Sequence, residues 1–229
     1  MKTLITQLFI LLLIPGAFAQ QLNHEDFNPN SSWIKTKGVK FSESSEVDSL
    51  CDKAKMHYIK AQYNDGILLL KKANAKEEGN YRIKTAMAWA YLQIGDYDSA
   101  IMGFNTALKL QPNDSCARRN LILCYAQKRD YKGACAKARE YIRSYPDDPG
   151  GYYTFMLAQF SHDRYGAAIE NGQKAVALFR KTNNKAIYSA QYWLAKSYYA
   201  EKDYAHSDEV FQWLRDQGVK VEEKYRVHL

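Results

Sequence analysis

The feature that most restricts the fold of this 229-residue chain is a period of 34 residues. Tyr63, Tyr97, Tyr131 and Tyr165 each follow the last by 34, and Tyr204 comes after 39. Three residues beyond each tyrosine stands a small residue: Gly66, Ala100, Ala134, Ala168 and Ser207. Five small residues in phase mark a repeated steric requirement. Six residues before the tyrosines come His57, Tyr91, Tyr125, Gln159 and Tyr198, and Pro112 and Pro146, again 34 apart, close two repeats. A fixed period between about 20 and 50 residues is the mark of a solenoid.

Each period reads as two helices. Between Arg82 and Ile94, Ala86, Met87, Ala90 and Tyr91 recur at spacings of three and four, which puts one apolar face on a helix. Gly95-Asp96 breaks the run, and Asp96 is placed to cap the next helix by accepting from a free backbone N–H. Tyr97, Ala100, Ile101, Phe104, Ala107 and Leu108 fill one face of that second helix, and Pro112 ends the repeat. Small residues at Ala88 and Ala100 let the two axes approach closely. A lone hairpin cannot bury its faces, so the repeats must stack.

The residues resemble the tetratricopeptide repeat. Tyr81 to Asp114 carries the family pattern best, with Met87, Ala88 and Tyr91, then Gly95-Asp96-Tyr97, Ala100, Phe104, Ala107 and Pro112. Ser115 to Asp148 keeps Leu121, Tyr125, Asp130, Tyr131, Ala134 and Pro146, with Ala138 where Phe is usual and Tyr141 where Ala is usual. Pro149 to Asn183 has Gly172 at the Phe position, which predicts a looser repeat. The last, from Tyr188 to Gly218, keeps Leu194, Ala195, Tyr198, Asp203-Tyr204 and Phe211, and five extra residues around Lys181 to Lys185 account for the longer spacing. Val47 to Asn80 fits least, with Lys53 at a Leu site. The resemblance implies an all-α, right-handed superhelical solenoid of about five helix-turn-helix repeats over residues 45–218, with a terminal cap or tail over 219–229.

It also implies a non-catalytic protein-interaction module whose first helices line a concave groove. Carrying the family phase across, the groove residues are Lys55, Tyr58, Arg82, Trp89, Arg119, Tyr153, Phe160, Tyr192, Lys196 and Tyr199, accompanied by Thr85, Leu92, Leu123, Ala126 and Leu157. Aromatic anchors beside a few cations suit a peptide or helical segment bearing apolar and acidic side chains. One branch of the family clamps a ligand's terminal carboxylate with Lys and Asn. Trp89 and Leu123 stand where those asparagines belong, so that activity is not expected here. On the second helix of the basic repeat Ser115 to Asp148, Lys137, Arg139 and Arg143 form a convex patch, either a solvated face or a docking surface for an acidic partner or anionic head groups. The alternative to groove binding is therefore a scaffold or assembly subunit of a cell-envelope complex that works through its convex or end surfaces.

At the N-terminus, Lys2, the apolar run Leu8 to Ile14, Pro15-Gly16 and Ala17-Phe18-Ala19 read as a signal peptide over residues 1–19. Residues 20–44 are polar and read as a flexible leader, in which Trp33-Ile34 is the one apolar pair. No later stretch approaches the roughly 18 apolar residues of a membrane span, so the expected location is periplasmic or secreted, with peripheral envelope association open. A net charge of +7 with both signs spread along the chain is too mild to imply nucleic acid. In an exported chain, Asn30-Ser31-Ser32 and Asn113-Asp114-Ser115 fit glycosylation acceptors if the source is eukaryotic. Cys51, Cys116, Cys124 and Cys135 read either as buried free thiols or, for Cys124 with Cys135 alone, as a bridge between adjacent helices. The five histidines are scattered, and no CxxC, HExxH, GxSxG or phosphate loop occurs. No metal, cofactor or catalytic residue is expected.

Overall fold

A computed structural model describes residues 40–225, so the signal segment, Trp33-Ile34 and the last four residues lie outside the described residues. Those described are all helical, with no strand among them, and divide into two compact units, 40–114 and 115–225. The N-terminal unit comprises α1 (Ser45–Ile59), α2 (Tyr63–Lys76), α3 (Tyr81–Gln93) and α4 (Tyr97–Leu110). The C-terminal unit comprises α5 (Ser115–Gln127), α6 (Tyr131–Ser144), α7 (Pro149–Phe160), α8 (Tyr165–Lys181), α9 (Ile187–Ala200) and α10 (Tyr204–Asp216), followed by a 3-10 turn at Glu223–Tyr225. Every periodic tyrosine is the first residue of an even-numbered helix.

One backbone device joins the two helices of each hairpin. The residue two before the tyrosine has positive φ in all five repeats: Ala61 (57°), Gly95 (82°), Arg129 (66°), Asp163 (58°) and Lys202 (67°). The next N–H then reaches back to the carbonyl six residues before the tyrosine, as in Asp96 N to Tyr91 O at 3.0 Å and Asp130 N to Tyr125 O at 2.9 Å. This is the Schellman closure, which satisfies the orphan carbonyls of the first helix. The same residue caps the second helix: Asp96 accepts from Ser99 N, Asp130 from Gly133 N and Asp203 from His206 N. A single aspartate thus ends one helix and starts the next.

The small residue three past the tyrosine lies where the second helix crosses the first, and all five are buried. At Gly66 a Cβ would fall inside the Tyr58 ring, so no larger residue fits without moving that ring. Ser207, the one polar member, donates to Ala195 O at 3.1 Å. In the repeat Ser115 to Asp148 the exchange of Ala138 and Tyr141 is accommodated in one core of Ile122, Ala126, Ala134, Ala138, Tyr141, Phe155 and Ala158.

The repeat with Gly172 is not loose. Met156 Sδ and the Leu194 side chain close on the space above Gly172, so a thioether and a leucine supply the volume the missing Phe leaves. Helix α7 of that repeat is packed by α5, α6, α8 and α9. Every residue from Gly150 to Gln159 is buried as a result.

Candidate functional site

Arg119, Tyr153 and Tyr192 occupy one repeat position with Thr85, the fifth residue of the repeats that open at Ser115, Pro149, Tyr188 and Tyr81. The structure turns that position into a series of ties to the next segment of the chain. Thr85 Oγ1 donates to Asp114 Oδ2 at 2.9 Å. Arg119 Nη1 donates to Asp148 Oδ2 and to Tyr141 Oη, both at 2.9 Å, and the Tyr141 hydroxyl also donates to Asp148. Tyr153 is hydrogen-bonded to Ser189, and Tyr192 Oη donates to Glu222 Oε1 at 2.9 Å.

The electrostatics follow from burial. Arg119 is 8% exposed. Burial opposes its charge, yet the Tyr141 and Asp148 oxygens outweigh that and hold the guanidinium pKa above its ordinary value. Burial and the Asp148 bond push the Tyr141 hydroxyl up to about 12 against the pull of Arg119. Burial likewise raises Tyr58, Tyr153 and Tyr192, and Cys51 is pushed up to about 12 by burial with Asp48, Asp52 and Glu77 nearby. All four cysteines are free thiols, so Cys124 and Cys135 are not joined. Cys124 is raised by burial, which makes it a small hydrophobe and not a nucleophile.

A second set, at the twelfth position, packs as aromatic triads with the periodic tyrosine. Tyr58 lies 6.0 Å from Tyr63 and 5.7 Å from Trp89, with Tyr63 and Trp89 at 5.8 Å. Phe160 lies 5.3 Å from Tyr165 and 5.2 Å from Trp193. Tyr199 lies 5.4 Å from Tyr204 and 5.0 Å from Tyr225, which itself stacks on Phe211 at 4.8 Å. Tyr225 therefore stands in the tail where a following repeat would supply its aromatic, and the tail closes over the last hairpin. These centroid separations are those of attractive edge and offset pairs.

Of the ten groove residues named from the sequence, five are buried: Tyr58, Trp89, Arg119, Tyr153 and Tyr192. Their outward-looking phase is covered by the ties and triads, so in the folded chain they are packing side chains. Arg82 is exposed, and Lys55, Phe160, Lys196 and Tyr199 are half-buried. Phe160 and Lys196 meet: the Lys196 ammonium sits 4.1 Å from the Trp193 centroid, 5.7 Å from Phe160 and 5.8 Å from Tyr192. Trp193 escaped the sequence reading, although its i,i+3 spacing to Lys196 was the available signal. On α6 Lys137 bonds Glu140 at 3.0 Å, which Arg118 also approaches at 3.4 Å, while Arg139 and Arg143 are exposed. Among the described residues no group of three or more His, Cys, Asp or Glu is placed to hold a metal, and no helix is long and apolar enough to cross a membrane.

The tetratricopeptide repeat family profile matches residues 85–149. The rhomboid protease GluP of Bacillus subtilis (strain 168) is 30% identical over 87 residues, 38% of this chain but 17% of GluP, so the chain spans under a fifth of that relative. Among solved structures, PilF of Pseudomonas aeruginosa superposes with a TM-score of 0.61 at 16% identity, covering 79% of each chain. MamA from Desulfovibrio magneticus RS-1, residue 41 to its end, gives 0.56 at 20%, covering 76% of this chain and 96% of that one. Cut9–Hcn1, described as an APC/C hetero-tetramer, gives 0.64 at 15%, covering 81% of this chain and 35% of that one. At these identities the likeness concerns fold. The fold is all-α, built of tetratricopeptide hairpins.

Proposed function

We propose that this tetratricopeptide-repeat chain is a non-catalytic binding module that takes a peptide or helical segment of a partner protein across the first helices of its C-terminal unit. The observation that carries the reading is Lys196, a half-buried ammonium on the faces of Trp193, Tyr192 and Phe160. The cluster sets a cation among aromatic rings, a surface whose chemistry suits an acidic group flanked by apolar ones, with Phe160 and Tyr199 adding apolar edges beside it. The fitting segment carries an acidic residue flanked by apolar ones. Because the ring contacts keep the lysine in place, its ordering is largely complete before binding.

The module works outside the cytoplasm. The Leu8 to Ile14 run with Ala17-Phe18-Ala19 supports this reading, and N-terminal sequencing of the protein recovered outside the cell is expected to begin at Gln20; retention of residues 1–19 overturns it. For the site, in-cell crosslinking with mass spectrometry is compared between wild type and Lys196→Glu. A partner crosslinked near Phe160 and Lys196 and lost in the variant is the expected result. Crosslinks on α6 around Arg139 and Arg143 that persist in the variant replace the groove by the convex basic face and make the chain an envelope scaffold.

A further inference from the structure

The outer faces of the second helices differ at one repeat position. Five residues past the periodic tyrosine, the N-terminal unit has Leu68 and Met102, whereas the C-terminal unit has Ala136, Glu170 and Glu209. Leu68 is 59% exposed and Met102 67%, more than any other large apolar side chain among the described residues. A single exposed leucine needs no explanation. Two at one repeat position on successive second helices mark the same outward face of each.

Charge around these two side chains is ordered along both helices. Asp65 and Asp98 lie a turn toward the N-terminal ends; Lys71 and Lys72 on α2 and Lys109 on α4 lie toward the C-terminal ends; all five are exposed. Rotated by half a turn about an axis in the plane of the face and across the helices, acid–apolar–base becomes base–apolar–acid. The face is its own complement, which is the condition for an isologous contact. Asp65 and Lys71 stand three residues either side of Leu68, so rotation through Leu68 sets each against the other. Asp98 is four residues before Met102 and Lys109 seven after, a mismatch the lysine stem spans because helical side chains lean toward the N-terminus.

We propose that this face docks a second copy of the chain, in a two-fold pair that lays α2 against α2 and α4 against α4, antiparallel. Two helices of about 21 Å present less area than a stable dimer buries, so the pair is weak, with a dissociation constant of order 100 µM. This contact is independent of the groove: it uses the opposite helices and the other unit.

Sedimentation equilibrium of the whole chain over a concentration series tests it. The mass is expected to rise from one chain toward two, and Leu68→Glu with Met102→Glu is expected to weaken pairing at least about tenfold. Asp65→Lys with Asp98→Lys makes both ends of the face basic, and Lys71→Glu with Lys72→Glu and Lys109→Glu makes both acidic. Each variant alone is expected to stay single, and an equimolar mixture to pair. All these positions are exposed, so circular dichroism is expected to show unchanged helicity, and Ala136→Glu in the other unit is expected to leave pairing as it was. A one-chain mass throughout, pairing that survives either charge variant, or a mixture that does not associate overturns the proposal.

Discussion

Helices α1 and α7 are built to one repeat template and buried to different depths. In α1 four of 15 residues are buried, Val47, Cys51, Ala54 and Tyr58. In α7 ten of 12 are. The template sets which face of a hairpin is apolar; the number of neighbours sets how much of the rest is covered. Helix α1 packs chiefly on α2, whereas α7 has neighbours on four sides. A residue's position in the repeat therefore does not by itself say whether it meets solvent.

The largest test of this contrast is truncation. Tyr153→Ala on α7 is expected to cost about 3–5 kcal/mol, whereas Met56→Ala on α1 changes stability by about 0.5 kcal/mol or less, both read from thermal or urea unfolding. A Tyr153 variant that melts like wild type and loses partner binding would return that side chain to the groove. The ties come next. Arg119→Ala strands Asp148 and Tyr141 and is expected to cost about 3 kcal/mol, against about 1 kcal/mol for Thr85→Val at the same repeat position in the other unit. Equal losses at the two sites break the idea that the C-terminal unit relies more on its buried network.

Alkali separates the units further. Tyr141, Tyr153, Tyr192 and Tyr225 in the C-terminal unit have raised pKa values, while the N-terminal unit has Tyr58. A buried phenol with a raised pKa holds its proton after the unfolded chain has lost it near pH 10, so its stabilisation is complete below about pH 10 and falls above it. Each such tyrosine is expected to remove up to about 1.4 kcal/mol per pH unit between about pH 10 and 12. Hydrogen exchange across that window is expected to show α7 and α9 losing protection faster than α3. The smallest effect is at the hairpin turns. Ala61→Gly and Lys202→Gly relieve a left-handed backbone and are each expected to raise stability by about 0.5 kcal/mol, the gain reduced by the added freedom of the unfolded chain. A loss in either variant means the turn is held by side-chain contacts and not tolerated as strain.

Much of the fold is legible in the residues because two of its requirements are steric. The tyrosine and the small residue three later mark where each second helix starts and where it touches the first, and only small side chains fit the second of these. The left-handed turn is not legible, since Gly95 announces it once while Ala, Arg, Asp and Lys fill it elsewhere. The ties are hidden for a related reason: Thr85, Arg119, Tyr153 and Tyr192 share a location and a hydrogen-bonding group but differ in size and charge, so no one residue type marks the position. That is also why Arg119, Tyr153 and Tyr192 look like groove anchors when only phase is considered. Tyr225 lies beyond the last repeat and out of phase with it, so nothing in the period points to its place in the final triad.

The junction after α8 bears on how this molecule can be altered. That helix runs to 17 residues where α4 and α6 have 14, and Asn183 ends it at φ 49°, with Asn184 Oδ1 accepting from Ala186 N at 2.9 Å. Of the five extra residues three lengthen α8, one the join 182–186 and one α9, and residues 181–185 all face solvent. The excess gathers at the C-terminal end of α8 and in the exposed turn after it, while the left-handed turn within each hairpin keeps one length. A reporter domain or epitope grafted between Asn183 and Asn184 would lengthen only that join, leaving both neighbouring hairpins in register.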